Sequence, residues 1–212
     1  MKKEAKRSFC IEISLLAVFI LWTAAVCFVD VREIGPQGAS VGFASINGFV
    51  HRLTGVHMGL YTVTDWLGLV PIAFALAFAI LGLVQWVMRK RISQVDRSIL
   101  VLGGFYILVL AVYIFFEIVT VNYRPVLIGG ILEVSYPSST TMLVLCVMPT
   151  AVMQLNVRIK NNVIRRGVAC IITAFVVFMV IGRLISGVHW VSDIVGGVLL
   201  SAGLVTMYKA IV

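Results

Sequence analysis

Charged residues are scarce in this sequence. Of its 212 residues only 12% are Asp, Glu, Lys or Arg, whereas 61% are hydrophobic and the mean hydropathy is +1.08. Neither disordered chains nor soluble globular domains have this composition, which predicts a membrane protein. Orientation in a membrane explains the net charge of +8 without a nucleic-acid partner.

Motifs that bind metals, nucleotides or flavins are also absent. No Gly-rich loop follows a strand, and the three histidines lack the spacing of metal ligands. We therefore expect no cofactor and no metal. The four cysteines lie in apolar stretches without metal-ligand spacing and are predicted to be buried thiols: Cys10, Cys27, Cys146 and Cys170.

Six apolar segments approach or exceed the roughly 20 residues needed to cross the hydrocarbon core of a membrane. They cover approximately residues 9–29, 66–88, 99–120, 139–155, 167–186 and 193–212. The fourth is short and contains Pro149, which predicts a kink or a tilted helix surrounded by protein. The expected fold is all-α, a six-transmembrane-helix bundle that forms a single integral membrane domain over residues 1–212.

Basic residues are distributed unevenly along the chain. With a cytoplasmic N-terminus, 13 of the 17 Lys and Arg residues fall in cytoplasmic segments and 4 in outer ones, as the positive-inside rule requires. Both termini are thus expected in the cytoplasm, with the protein in a bacterial inner membrane. The first span is too long for the apolar region of a signal peptide and is expected to remain as an anchor.

The first outer loop, at about residues 30–65, contains an amphipathic stretch. Its apolar residues recur at helical spacing: Phe43, Ile46, Phe49, Val50 and Leu53. This pattern predicts a helix that lies in the membrane interface. His51 and His57 belong to this loop and are expected to be solvated or interfacial rather than catalytic.

Ionisable and hydroxyl side chains collect at the outer ends of the third to sixth spans, where charge near hydrocarbon often marks a functional site. Arg124 and Arg183 would repel each other unless an anion lay between them, and guanidinium groups suit phosphate oxygens. Ser138, Ser139 and Thr140 should begin the fourth helix, where N–H groups and hydroxyls also favour an anion. Ordinary N-capping is the alternative for this run. Together these residues predict a phosphate pocket.

His189 and Asp193 are four residues apart at the start of the sixth span. Asp193 could accept a hydrogen bond from one imidazole nitrogen and leave the other free as a nucleophile. A structural hydrogen bond is the alternative for this pair taken alone. Arg183, six residues before His189, favours the catalytic interpretation.

Three groups of residues resemble the three-part motif of the type 2 phosphatidic acid phosphatase superfamily: Arg124-Pro125, the run Pro137-Ser138-Ser139-Thr140, and Arg183 with His189 and Asp193. The resemblance implies a six-helix bundle that removes phosphate from lipid phosphates or diphosphates without metal, through a phosphohistidine. It implies that His189 is the nucleophile and Asp193 its orienting carboxylate. The phosphate ligands implied by the resemblance are Arg124, Arg183, Ser138 and Ser139, to which the hydroxyl run adds Thr140.

The sequence departs from this family at two important positions. Glu117 stands where the family has a lysine, and Thr140 stands where it has the histidine that protonates the leaving group. Glu117 or Glu133, protonated near the apolar boundary, could be a substitute acid. A site without the second histidine is better matched to a polyprenyl diphosphate, whose leaving group is less basic than an alkoxide.

Two function classes follow from these residues. The first is a lipid phosphate or diphosphate phosphatase at the outer membrane face, with membrane lipids and a phospholipid or polyprenyl phosphate as its partners. The second is a non-catalytic member that binds lipid phosphate. A transporter or channel fits less well because the charged residues gather at the outer rim rather than at mid-membrane.

Overall fold

The computed structural model describes the backbone of residues 2–212 and the side chains of residues 11–212. Two predictions concern side chains outside the described residues. They are the cytoplasmic location of the charges on Lys2, Lys3, Lys6 and Arg7, and the burial of Cys10.

Helices dominate the described chain. The α-helices are α1 (Lys2–Phe28), α2 (Ala44–Thr54), α3 (Met58–Leu67), α4 (Leu69–Arg89), α5 (Arg97–Ile118), α6 (Ser139–Arg158), α7 (Asn162–Ile185) and α8 (Val191–Ile211). Short 3₁₀ turns occur at Pro36–Gly38 and Ile92–Gln94. Two short strands, β1 (Arg32–Glu33) and β2 (Ser40–Val41), pair antiparallel in the loop between α1 and α2, with Arg32 opposite Val41.

Six helical segments are long and apolar enough to cross a membrane, which confirms the predicted six-helix bundle. The second segment runs from Met58 to Arg89 through α3 and α4, so it begins earlier than the predicted residue 66. The polar residues that suggested a loop are compatible with a helix because their hydroxyls bond back to its carbonyls. Thr62 Oγ1 donates to the Met58 carbonyl at 2.9 Å, and Thr64 Oγ1 donates to the Leu60 carbonyl at 2.9 Å.

The fourth span, α6, is the most enclosed by protein. It lies against α7 and α8, and half of its most apolar stretch is buried. This agrees with the prediction that the span containing Pro149 is surrounded by protein. Helix α8 also packs along α1. The approach is close at Gly203, where an added Cβ would lie 2.7 Å from Leu16 Cδ2. Small residues commonly allow such close packing between membrane helices.

The predicted amphipathic helix is α2. Its apolar residues Ile46, Phe49 and Leu53 are 59%, 61% and 75% exposed, whereas the polar Asn47 is fully buried. Asn47 Nδ2 donates to the Gly42 carbonyl at 2.7 Å and to Ser192 Oγ at 2.9 Å. The apolar face therefore points away from the protein, as required of a helix that lies in a membrane interface.

The prediction that the cysteines are buried thiols is wrong for two of them. Cys146 is buried inside α6, but Cys27 and Cys170 are exposed. An apolar neighbourhood implies burial in a soluble protein. In a membrane protein the outside of the bundle is also apolar, so the same neighbourhood does not distinguish the core from the lipid-facing surface.

Candidate active site

Four of the predicted side chains meet at one end of the bundle. Arg124 lies in the loop after α5, Arg183 in the last turn of α7, His189 between α7 and α8, and Asp193 in the first turn of α8. The loop that carries Arg124 folds back on itself, with the Arg124 N–H donating to the Glu133 carbonyl at 2.9 Å. The four residues are 8%, 1%, 3% and 0% exposed, so the site is shielded from solvent.

The two arginines face the same nitrogen of His189. Nη1 of Arg124 lies 3.4 Å from His189 Nε2, and Nη2 of Arg183 lies 3.3 Å from it. Guanidinium groups only donate hydrogen bonds, so Nε2 must be the acceptor and the ring proton must be on Nδ1. Burial, followed by the charges of Arg124 and Arg183, holds the pKa of His189 well below its usual range, against a smaller opposing effect of the Ser135 backbone. His189 is therefore neutral, with the lone pair of Nε2 directed at the two guanidinium groups.

Asp193 lies on the other side of the imidazole. Its Oδ2 is 3.8 Å from His189 Nδ1, longer than a hydrogen bond. Asn122 Nδ2 donates to Asp193 Oδ1 at 3.1 Å and also approaches Ser192 Oγ at 3.4 Å. The Trp190 N–H donates to Asp193 Oδ2 at 3.0 Å. These donors fix the carboxylate in place beside Nδ1.

The hydroxyl run is positioned at the start of α6. Ser138 is fully buried, and its N–H donates to the Asp193 carbonyl at 3.0 Å, which ties α6 to α8. The Ser138 hydroxyl accepts a hydrogen bond from Thr141 Oγ1 at 3.0 Å and makes no capping bond to the helix backbone. Ordinary N-capping by Ser138 is therefore not what the structure has. Ser139 and Thr140 follow in the first turn and are half-buried.

The two candidate substitute acids occupy different positions. Oε2 of Glu133 lies 2.9 Å from Nε of Arg124, so this carboxylate already pairs with an arginine that is predicted to bind phosphate. Glu117 is exposed near the end of α5, where it interacts with Tyr113 and lines a neighbouring cavity with Ser139. Within the described residues, Glu117 forms no ion pair with Arg124.

Helix α3 supplies three further side chains that the sequence did not predict. Oδ1 of Asp65 lies 3.5 Å from Nη1 of Arg183, and the same nitrogen donates to Thr64 Oγ1 at 3.5 Å. The ring of Tyr61 lies 5.0 Å from Cζ of Arg183 and 5.9 Å from Cζ of Arg124. The face of the Tyr61 ring can therefore make cation–π contacts with both guanidinium groups.

These residues were missed because the segment before residue 66 was assigned to the first outer loop. One signal was available. Asp65 is the only acidic residue between Glu33 and Asp96, and it directly precedes a long apolar run. An isolated carboxylate at the edge of a membrane span is costly and therefore marks a candidate functional residue.

Comparisons with known proteins agree with this architecture. Residues 70–212 match the family described as the PAP2 superfamily. A crystal structure described as the first transmembrane PAP2 type phosphatidylglycerolphosphate phosphatase from Bacillus subtilis has a similar fold, with a TM-score of 0.59 and 23% sequence identity over 93% of this chain and 94% of that one. A search of curated protein sequences found no match. Since the family match extends over more than half of the sequence, the chain is an integral membrane protein of the PAP2 superfamily.

Proposed function

We propose that this protein is a lipid phosphate or diphosphate phosphatase that works without metal, through a phosphohistidine on His189. The observation that carries the proposal is the lone pair of His189 Nε2, which both Arg124 and Arg183 face. Two buried cations with a neutral nucleophile between them form a site for an anionic electrophile, and a phosphoryl group has both properties.

The phosphoryl group would bind between the two arginines and displace their present partners, Glu133 and Asp65. The arginines then neutralise the charge on the phosphoryl oxygens, which is the role that metal ions have in other phosphoryl transfer enzymes. Ser138, Ser139 and Thr140 would add hydroxyls and N–H groups at the positive end of α6.

In the first step, the lone pair of His189 Nε2 attacks phosphorus and the bond to the leaving oxygen breaks. The proton on Nδ1 stays on the ring, and Asp193 stabilises the resulting positive imidazole. In the second step, water attacks the phosphohistidine, the P–N bond breaks and phosphate leaves.

The substrate class follows from the leaving group. Thr140 cannot protonate an alkoxide, which favours a polyprenyl diphosphate, whose leaving phosphate monoester is far less basic. The similar structure from Bacillus subtilis is described as a phosphatidylglycerolphosphate phosphatase, so a phospholipid monoester is the second candidate substrate. The positive-inside distribution of basic residues supports an active site at the outer face of a bacterial inner membrane, with both termini in the cytoplasm.

The test is phosphate release by the purified protein in detergent, from a panel of lipid monophosphates and diphosphates, with and without a chelator. Release that the chelator does not reduce and that His189→Ala abolishes is the expected result. If the parent binds lipid phosphate but releases none from any lipid in the panel, the protein is the non-catalytic binding member instead.

A further inference from the structure

Helix α3 places Asp65 against the guanidinium group that also faces the proposed nucleophile. Arg183 presents Nη2 to His189 Nε2 at 3.3 Å and Nη1 to Asp65 Oδ1 at 3.5 Å. The two partners therefore meet different terminal nitrogens of one guanidinium. A phosphoryl group held by both nitrogens would lie close to the nucleophile at one of them and to the carboxyl group at the other.

The end of α3 also lies beside Thr140, which stands where the family has the histidine that protonates the leaving group. Gly68 follows Asp65 by three residues and lies close to Thr140. A Cβ added to Gly68 would be 3.7 Å from Cγ2 of Thr140. The Gly68 N–H donates to the Asp65 carbonyl at 3.0 Å, so the two residues belong to the same turn. The helix end that carries Asp65 thus lies next to Thr140.

We propose that Asp65 is the general acid of this enzyme and replaces the absent histidine by supplying the proton to the leaving oxygen. This inference rests on the proposed phosphatase function. Asp65 precedes the region of residues 70–212 that matches the family.

Substrate binding would change the partner of Arg183. In the free protein Asp65 pairs with Arg183. When an anionic phosphoryl group takes over the guanidinium, the carboxyl group of Asp65 is released from this pair and can contact the leaving oxygen. The Asp65 side chain is 56% exposed, so it is not enclosed by protein.

The two half-reactions balance with this residue as acid and then as base. As His189 Nε2 bonds to phosphorus, the bonding pair of the P–O bond goes to the leaving oxygen, which takes the Asp65 proton. The leaving group departs as an alcohol from a monoester, or as a phosphate monoester from a diphosphate. The Asp65 carboxylate then removes a proton from water, whose oxygen attacks phosphorus and breaks the P–N bond. Phosphate leaves, and Asp65 is protonated again.

Glu133 and Glu117 are less well placed for this role. Glu133 meets Arg124 through Nε, whereas His189 is on the Nη1 side of that guanidinium, and Glu117 lines the neighbouring cavity. The variants Glu133→Gln and Glu117→Gln are therefore measured alongside Asp65→Asn in the same experiment.

The experiment compares kcat/KM for two phosphate monoesters in detergent, an alkyl ester (a lysophosphatidic acid) and an aryl ester with a good leaving group (p-nitrophenyl phosphate). Loss of a general acid slows departure of the alkoxide by about 10²- to 10⁴-fold and hardly affects the aryl oxide. Asp65→Asn should lower kcat/KM for the alkyl ester by such a factor and for the aryl ester by less than about tenfold. With the aryl ester, the same variant should accumulate phosphohistidine, because water is no longer activated.

Two further variants keep the test decisive. Asp65→Glu retains a carboxyl group and should keep more alkyl-ester activity than Asp65→Asn. Asp96→Asn is the matched control, because Asp96 is also a partly exposed aspartate paired with an arginine, Arg89, in the loop between α4 and α5. It should leave the alkyl-to-aryl ratio unchanged.

The outcomes separate this inference from the function on which it rests. Equal losses on both esters in Asp65→Asn, with no phosphohistidine, would show that Asp65 acts only by holding Arg183. An alkyl-specific loss in Glu133→Gln or Glu117→Gln, and not in Asp65→Asn, would assign the acid elsewhere. If the parent releases no phosphate from any ester or diphosphate, the phosphatase function itself fails.

Discussion

Nη2 of Arg183 lies 3.3 Å from Nε2 of His189. A guanidinium cannot accept a hydrogen bond, so this contact assigns the lone pair of the imidazole to Nε2 and its proton to Nδ1, on the side of Asp193. The proposed nucleophile, His189, is thus neutral and presents Nε2 to both arginines before substrate binds. A preorganised site of this kind needs no proton transfer to activate its nucleophile.

Replacing His189 tests the nucleophile directly. His189→Ala should abolish turnover and acid-labile phosphoenzyme, because no other imidazole faces both arginines in the described structure. Asp193→Asn should slow turnover and leave lipid binding largely intact, since the carboxylate stabilises a charge that forms only during the reaction. The measurement is phosphate release with trapping of the phosphoenzyme in acid. His57→Ala is the control because His57 is an exposed histidine of the same outer region, and full activity in His189→Ala would exclude the mechanism.

The depressed pKa of His189 predicts a pH dependence of stability. Below its ordinary pKa of 6.5, His189 takes up a proton in the unfolded chain but not in the folded protein. The unfolded state then binds more protons, so stability falls as the pH drops below 6.5. At one pH unit below that value the loss reaches about 1.4 kcal/mol, equivalent to about 3–6 °C in Tm for a chain of this size.

Thermal unfolding at pH 5.5 and 7.5 measures this effect. The drop in Tm between the two pH values should be smaller in His189→Gln than in the parent, whereas His57→Gln should behave like the parent. An identical drop in all three proteins would mean that His189 is protonated in the folded state.

Replacing Asn122 tests whether the Asp193 carboxylate needs the hydrogen bond that Asn122 donates to it. Its Nδ2 donates to Asp193 Oδ1 at 3.1 Å, and both residues are buried. Asn122→Leu should destabilise the protein by about 1–3 kcal/mol, because a buried acceptor loses its donor. It should also lower kcat more than it raises KM, since Asp193 acts on the reacting imidazole. Steady-state kinetics and Tm measure both effects, and an unchanged kcat would show that the carboxylate needs no such support.

The sequence predicted the membrane-spanning architecture well because long apolar runs determine it directly. The residues around His189 were also predictable, since their spacing along α7 and α8 sets their approach in space. Asp65 and Tyr61 were not, because their contacts with Arg183 depend on how α3 packs against α7. The spacing of residues along the sequence does not indicate a contact between such distant parts of the chain.

The distribution of basic residues predicts the sidedness of the site. Reporters fused after residues 95 and 160 should report the cytoplasm, and reporters near residues 40, 130 and 190 should report the outside, because 13 of 17 basic residues are then cytoplasmic. Fusions of a phosphatase reporter and a fluorescent reporter at each position make the measurement. A cytoplasmic signal near residues 130 and 190 together would place the active site on the inner face instead.

Glu117→Lys separates two interpretations of the altered first motif. If Glu117 faces the bound phosphate, a lysine there should lower KM, because an ammonium group attracts the anion. If Glu117 is the substitute acid, the same change should abolish activity. The position of Glu117 in the neighbouring cavity predicts a smaller effect than either. Steady-state kinetics with a lipid monophosphate distinguish the three results.

Thr140→His tests whether the leaving-group proton limits this enzyme. An imidazole within hydrogen-bond reach of the leaving oxygen should raise monoester hydrolysis by up to about 10²-fold, and diphosphate hydrolysis by less, because only the alkoxide needs strong protonation. The gain should be larger in the Asp65→Asn background than in the parent, since both side chains would supply the same proton. Equal gains in the two backgrounds would show that the two positions act independently, and the ratio of monoester to diphosphate rates in the four proteins decides between these outcomes.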